Sequence, residues 1–323
     1  MCKYNIEGLR NPDYWNMAKV GRNIAAIVVT YNRKELLSEC LAAICTQEYK
    51  PAVVYVIDNA STDGTDEWIK DNGYDGKKEQ IEFRYVRLSE NIGGSGGFYT
   101  GLKMAHEAAE KFDAFWLMDD DGVADKAQLK YLIAHLDKYD YLAPLVISKE
   151  DPTRCAFYNM SVEEFKDKAI DGLVPDLASP FNGVLYSRKL VDTVGYPLRD
   201  MFIWGDENDY HGRCICAGFR PMVEISAIHI HPKDRQIRQK LFWRKYVVPS
   251  QDWKLYLYVR NRVFNSVTFS NSGHIVRVVF HMVLEYSYYI IIKEHSWHRL
   301  RVFYRAVYDG LHKDLSRLSY YKK

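Results

Sequence analysis

The sequence contains no CxxC pair. Its six cysteines stand apart at positions 2, 40, 45, 155, 214 and 216, and the one close pair, Cys214 and Cys216, is a CxC. Such spacing is expected of reduced thiols in a cytosolic protein. The first twenty residues, MCKYNIEGLRNPDYWNMAKV, lack an apolar h-region, so no signal peptide is expected. No uninterrupted apolar run reaches ~18 residues, which argues against a membrane-spanning helix. Internal repeats and low-complexity stretches are absent. Two nucleotide-binding fingerprints also fail: a GxGxxG begun at Gly94 needs glycine where Tyr99 stands, and a Walker A motif needs lysine where Leu102 follows Gly101.

Net charge is nearly absent at +2, but it is unevenly placed: 18 of the 44 Lys+Arg and 6 of the 42 Asp+Glu lie from Lys233 onward. An acidic body therefore carries a basic tail, which points to an anionic partner. The 323 residues, 47% hydrophobic and 27% charged, suffice for one large α/β domain with an appendage, or for two domains. NIAAIVVTYN, AVVYVIDNAS, IEFRYVRL and AFWLM read as strands, the first two as buried on both faces and hence parallel. KELLSECLAAICTQ, STDGTDEWIKDN and the stretch after NIGGSGG read as helices between them. KAQLKYLIAHLDKY, YLAPLVI, FNGVLYSRKLVDTVG and IHIHP continue the alternation, interrupted by a polar, irregular stretch over 148–180. The expected fold is α/β, a doubly wound, mostly parallel sheet followed by a mostly helical basic tail.

In such sheets ligands sit beyond the carboxyl ends of the strands. TYNR, DNASTDGT, the glycine run and DDDG all fall on that rim. Three adjacent carboxylates, Asp119, Asp120 and Asp121, repel one another, so something positive must offset them. In an extended segment Asp119 and Asp121 face the same way, a pattern that suits Mg²⁺ or Mn²⁺ beside phosphates; a solvated acidic turn or a helix cap is the plain alternative. The glycines are either a flexible turn or a backbone that lets a diphosphate or sugar approach a helix N-terminus. GDEND supplies Asp206, Glu207 and Asp209, candidates for a general base or for helix capping. Trp204 before them is core or a sugar-stacking platform. His229 and His231, two apart at a strand end, are structural or complete a metal shell. In the tail, Arg277, His281 and Glu285 form one polar stripe on an otherwise apolar helix. That helix either packs on the catalytic domain or lies at a membrane interface. No nucleic-acid module accompanies the basic tail, so no nucleic-acid partner is expected.

IVVTYNR, DNASTDGT, NIGGSGGFYTG, WLMDDDG and FIWGDENDYHGR occur in the order found in glycosyltransferase family 2, and the chain most resembles its galactofuranosyltransferase-like and rhamnosyltransferase-like branch over about residues 22–232. YVRNR (Tyr258–Arg262) resembles a short signature that follows the catalytic domain in such enzymes. The resemblance implies a GT-A catalytic domain over 1–232, a helical region over 233–323, a UDP-sugar donor, a divalent metal, and inversion by direct displacement. It implies that Asp58 holds the donor base, that Thr30, Tyr31 and Arg33 lie beside the nucleotide, and that Asn91, Gly94, Gly96, Gly97, Asp120 and Trp204 line the donor site. Asp119 and Asp121 bind the metal, with His229 or His231 as the third ligand. Glu207 is the expected base, with Asp206 as its competitor.

The implied enzyme is cytoplasmic and peripheral on the inner face of the membrane. It would move a sugar, first of all galactofuranose from UDP-galactofuranose, onto a lipid-linked oligosaccharide of a bacterial surface polysaccharide such as O-antigen or capsule. Its partners would be that donor, that acceptor and an anionic membrane surface; a homo-oligomer stays open. A rhamnosyl- or other hexosyltransferase is the nearest alternative. Further ones are a sugar nucleotidyltransferase, against which the glycine-free stretch Asn23–Arg33 counts, and a non-catalytic glycan-binding subunit.

Overall fold

The computed structural model describes residues 21–233, 238–241 and 244–317, so the expectation of no signal peptide falls outside the described residues. The chain divides into two compact units, 1–196 with 213–234, and 197–212 with 235–323. In chain order the first unit holds β1 (Ile24–Thr30), α1 (Lys34–Cys45), β2 (Val53–Asp58), α2 (Thr65–Asp71), β3 (Lys77–Lys78), β4 (Ile81–Arg87), α3 (Gly93–Glu107), β5 (Ala114–Asp119) and β6 (Val123–Ala124). It continues with α4 (Gln128–Ile133), β7 (Tyr141–Ser148), α5 (Val162–Lys166), β8 (Leu173–Pro175), β9 (Asn182–Ser187) and α6 (Arg188–Val194). Helix α7 (Asp206–Cys216) starts in the second unit and ends in the first, which β10 (Pro221–His231) completes.

The ten strands form one sheet in the order β3-β4-β2-β1-β5-β9-β7-β10-β6, with β8 also on β10. The long pairings are mostly parallel: β4, β2, β1 and β5 run together, as do β7 and β10. Strand β9 is antiparallel between β5 and β7. Every residue of β1 and β2 is buried because both faces are covered. Ile24, Ala26 and Val28 share a cluster with Leu37, Leu41 and Ile44 of α1. The alternate residues Ile27 and Val29 face α3. The irregular stretch before β9 holds α5, closed by a capping box between Ser161 and Glu164, and β8.

The glycine run is not an open loop. Helix α3 begins at Gly93 and contains Gly94, Gly96, Gly97 and Gly101. A Cβ at Gly97 would lie 2.4 Å from Val29 Cγ1, and one at Gly101 would lie 2.6 Å from Ile27 Cγ2. At Gly96 it would meet Ile92 at 2.6 Å, whereas Gly94 has open space around it. Gly96 and Gly97, expected to line the donor site, are therefore explained by how closely the helix packs; Gly94 alone is open.

The second unit contains the hairpin β11 (Arg238–Leu241) and β12 (Arg244–Val247), then α8 (Asp252–Phe269), α9 (Ser272–Tyr289) and α10 (Trp297–Leu311). Its core joins Leu255, Tyr256 and Val259 of α8 to Met282 and Tyr286 of α9 and Phe303 and Ala306 of α10. Residues 197–212 belong here, although sequence order places them before the boundary at 232. The reason is that side chains of α8 take up that segment's carbonyls, as Asn261 does for Met201 and Asn265 for Gly205. On α9 the polar stripe is split, since Glu285 is buried. The apolar row one position earlier faces out: Val276, Phe280, Leu284 and Tyr288 are 40–68% exposed, and Ile292 beyond the helix end is 49% exposed. The stretch Ser272–Glu294 is long and apolar enough to cross a membrane by length and composition.

The packing of α3 generates a paired prediction. Gly97→Ala forces Val29 aside and lowers stability by about 1–3 kcal/mol. Gly94→Ala, with nothing to strike, leaves stability unchanged or slightly raised. Urea unfolding of both variants distinguishes a packing glycine from a free one.

Candidate active site

Parallel registration brings three strand ends to one rim: Thr30 lies beside Asp58, and Val29 beside Asp119. Directly after β1, Asn32 adopts a left-handed conformation (φ 51°). Its amide donates to Ser61 Oγ at 2.9 Å, and its side-chain carbonyl accepts the Thr62 N–H at 2.7 Å. These bonds tie the exit of β1 to the exit of β2. Asn59 ties β2 to the start of α3, donating to the Gly93 carbonyl at 3.2 Å and accepting the Ile92 N–H at 3.3 Å. Asn91 Oδ1 accepts the Gly93 N–H at 2.8 Å and turns the chain into that helix. Tyr31 is exposed on the rim.

The acidic run is a turn rather than a continued strand, because β5 ends at Asp119. The three carboxylates consequently separate. Asp120 turns inward and is buried, accepting Thr30 Oγ1–H at 2.7 Å and Arg33 Nη1–H at 3.2 Å. Expected to line the donor site, it anchors Thr30 and Arg33 in this structure. Burial pushes its carboxyl up to about 6, with Arg33 and Thr30 pulling the other way. Asp121 stays on the rim between Arg33 Nη1 at 3.0 Å and His231 Nε2 at 3.1 Å. Burial opposes its charge, but His231 and Arg33 hold it below the usual range. Asp119, half-buried, is driven well above the usual carboxylate range by burial and by the negative charge of Asp121 and Asp120. Arg33 is the positive group that the acidic run requires. Burial works against it, yet Asp120, Asp121 and Asp119 raise its affinity for its proton.

The two histidines part company. His231 ends β10, opposite Ser148, and reaches Asp121. Its Nδ1–H donates to the Pro232 carbonyl at 2.6 Å, which leaves Nε2 aimed at the acid. Burial would lower its pKa, but the bond and charge of Asp121 raise it. His229 is fully buried, with Nδ1 at 3.0 Å from Gln128 Oε1. Its Nε2 has no partner among the described residues and points at Gly122, where a Cβ would lie 2.1 Å away. Burial lowers its pKa to about 3, so it is a neutral core histidine.

Among the described residues, no three His, Cys, Asp and Glu side chains are assembled as a ready cation site. Asp121 spends both oxygens on Arg33 and His231. The donor set nevertheless suits a hard divalent ion. It offers two rim carboxylates, one of them starved of positive charge, and an imidazole whose far nitrogen is fixed by a backbone carbonyl. Asp119, Asp121 and His231 are the residues that could hold it.

Asp58, expected at the donor base, is held from within the fold. It is completely buried, with Oδ1 accepting the Ser61 N–H at 2.8 Å and Oδ2 accepting Tyr85 O–H at 2.6 Å. Its two hydrogen bonds tie the end of β2 to Ser61 and to Tyr85 of β4. Tyr85 and Asn59 were not foreseen; Asn59 sits inside the quoted DNAST, but only the fold shows its partners.

In the second unit, Trp204 is half-buried, with its ring edge-on to Tyr258 at 6.1 Å. Gly205 N–H donates to Glu207 Oε2 at 3.0 Å. At the start of α7, Asp206 and Asp209 are buried, whereas Glu207 is half-buried and the more accessible of the pair.

Residues 25–192 match the family model described as glycosyl transferase family 2. The galactofuranosyltransferase GlfT1 of Mycolicibacterium smegmatis is 32% identical over 222 residues, covering 65% of this chain and 70% of that one. GlfT1 of Mycobacterium tuberculosis H37Rv is 33% identical over 220 residues, with the same coverage of 65% and 70%. Among solved structures, S. aureus TarS 1-349 in complex with UDP-GlcNAc is 14% identical with a TM-score of 0.56, covering 92% of this chain and 83% of that one. The mannosyltransferase PcManGT from Pyrobaculum calidifontis, in complex with GDP-Man and Mn²⁺, is 15% identical with a TM-score of 0.54, covering 94% and 77%. At these identities the structural likeness shows the fold.

The neutral core histidine makes stability depend on pH. Below about pH 6.5 the unfolded chain takes up a proton at this position that the folded chain refuses until about pH 3. The folded state therefore loses stability as pH falls through that window, by roughly 2 kcal/mol at pH 5 from this group. Urea unfolding from pH 7 to pH 4 should show a smaller acid loss in His229→Gln than in the wild type.

Proposed function

The chain belongs to glycosyltransferase family 2, and within it we propose an inverting, metal-dependent galactofuranosyltransferase that uses UDP-galactofuranose and extends a lipid-linked glycan of a bacterial surface polysaccharide. The observation that carries this reading is the acidic turn at the carboxyl end of the parallel strands, where Asp119, Asp121 and His231 meet Arg33. The choice of sugar draws on the galactofuranosyltransferases to which the chain is similar.

In this reading the rim of the first unit binds the nucleoside diphosphate end of the donor. Asn59 and Asn91 fix the start of α3, and Arg33 gives the acidic turn its permanent counter-charge. Asp119, Asp121 and His231 would hold Mn²⁺ or Mg²⁺, which when bound supplies Lewis-acid stabilisation of the diphosphate leaving group. Arg33 keeps Asp120 and the Thr30 hydroxyl in place, and Asp121 would be one of the residues holding the cation. Glu207, with Asp206 its competitor, accepts the proton of the attacking acceptor hydroxyl, so the displacement inverts the anomeric carbon in one step. The two roles need no covalent intermediate; positioning and charge carry the rate.

The outward row of α9 supports docking of the second unit on the cytoplasmic face of an anionic membrane, where the acceptor lipid resides. Exposed Phe280, Leu284 and Ile292 would enter the interface. Trp297, Tyr304 and Tyr308, with Arg301 and Arg305 between them on α10, have the aromatic and basic character of headgroup anchors.

Two outcomes test the proposal. With a glycolipid acceptor and Mn²⁺, a panel of nucleotide sugars should give UDP release fastest with UDP-galactofuranose, and Asp121→Ala should cut it on the order of 10²–10³-fold. A different preferred sugar selects the hexosyltransferase alternative, no UDP release from any donor leaves a non-catalytic glycan-binding subunit, and full UDP release in Asp121→Ala refutes the role of the acidic turn. In the second test, the triple variant Phe280→Ser, Leu284→Ser, Ile292→Ser should lose co-sedimentation with anionic liposomes while retaining its fold. Equal pelleting of variant and wild type refutes the membrane surface.

A further inference from the structure

The segment entering α7 is held in an unusual shape. Phe202 has φ 70° and ψ −69°, and the Ile203 N–H bonds back to the Met201 carbonyl at 2.9 Å, a tight γ-turn of the strained hand. Trp204 (φ 59°) and Gly205 (φ 97°) are also left-handed. Two non-glycine residues of this kind within three positions are costly, and they persist only where the surroundings over-determine them.

The surroundings here are three side chains of α8. Asn261 Nδ2 donates to the carbonyls of Met201, Ile203 and Trp204 at 2.9, 3.0 and 2.8 Å. Arg260 Nη2 donates to the Asp200 carbonyl at 2.9 Å and the Met201 carbonyl at 3.3 Å, while its Nε donates to Asn261 Oδ1 at 3.0 Å and so fixes which way the amide faces. Asn265 Nδ2 donates to the Gly205 carbonyl at 2.7 Å. Five carbonyls of the segment are thus taken by three consecutive-turn side chains. Arg260 is completely buried, and among the described residues no carboxylate lies within ion-pair distance of it. Burying a guanidinium with no ion pair, on carbonyl dipoles, the Asn261 amide and the Tyr256 ring, is an expensive way to hold a turn. Gly205 is needed for the close approach, since a Cβ there would lie 3.1 Å from Asn261 Cβ.

What this clamp delivers lies at the far end of the segment. With its carbonyl drawn to Asn265, Gly205 presents its N–H to Glu207 Oε2, and α7 starts at the next residue. We infer that Arg260, Asn261 and Asn265 are positioning residues that fix the 200–205 turn, and through it the carboxylates opening α7, in a single geometry toward the acceptor hydroxyl. The inference rests on the reading of Glu207 or Asp206 as the base. Arg260 and Asn261 fall in YVRNR, so it gives that signature a physical task.

The decisive variant is Asn261→Asp. It preserves shape and the contact with Arg260, but it sets a carboxylate against three carbonyl oxygens. We expect kcat to fall on the order of 10–10²-fold with the donor KM within about twofold, since misplacing a reacting group costs rate rather than donor binding. Hydrogen exchange over residues 200–207 should accelerate in the same protein. Should Asn261→Asp fail to fold, Asn265→Ala removes one bond from a half-buried side chain and should show the same split in milder form. Unchanged kcat in the folded variant, a loss shared equally by kcat and KM, or unchanged exchange over 200–207 overturns the clamp. Asp206→Asn and Glu207→Gln are measured alongside. Full activity in both is the failure of the base reading, whereas inactive carboxamide variants beside a fully active Asn261→Asp is the failure of the clamp alone.

Discussion

Three carboxylates at the end of a buried strand are the constraint around which the first unit is arranged. Left alone, Asp119, Asp120 and Asp121 would be too costly to ionise together. The fold answers by sorting them. Asp120 is sunk beneath Thr30 and Arg33, Asp121 is shared between Arg33 and His231, and Asp119 is left with the least compensation. The positive charge supplied by the protein is therefore short of what the turn demands. That shortfall is the physical ground on which a cation site is proposed there. Each piece of this balance comes from a different strand end, so it exists only when β1, β5 and β10 are all in register.

The sheet itself could be read from the chain because its strands are buried on both faces. NIAAIVVTYN and AVVYVIDNAS are apolar along their strands except for Tyr55 and for Thr30 and Asp58 at the carboxyl ends, and helical spacing separates them. The antiparallel insertion of β9 was not legible, since strand direction is decided by which neighbour offers free backbone groups and not by side-chain pattern. Nor was the assignment of residues 197–212 to the second unit. That depends on Asn261 and Asn265, side chains some sixty positions downstream whose target carbonyls leave no mark in the sequence.

At the site, residue type was more legible than residue task. The two histidines share a strand face, and their difference is one of depth: His229 pairs with Ala124 inside the sheet, while His231 sits where β10 runs out. A spacing of two cannot encode depth. Asp58 is assigned to the donor base by the resemblance alone, and its bonds to Tyr85 and the Ser61 amide leave no mark in the sequence. The glycines read as a phosphate loop because glycine serves two needs equally well, close packing and free backbone, and only the distance from Val29 decides between them.

The second unit is more than a continuation of the chain after the sheet. The chain leaves the first unit after Tyr196, contributes the turn and the start of α7 to the second, and returns at Arg213. The carboxylates of GDEND are thus encoded inside the α/β sequence but held by helices encoded after it. Removing those helices would take away the donors for five strained carbonyls, and the turn would relax. Loss of activity on truncating the C-terminal helices would therefore say nothing by itself about membrane attachment. The apolar row of α9 and the side chains of α8 that hold the 200–205 turn lie on different helices, so the two proposals made for them are separable by single substitutions even though they are inseparable by deletion.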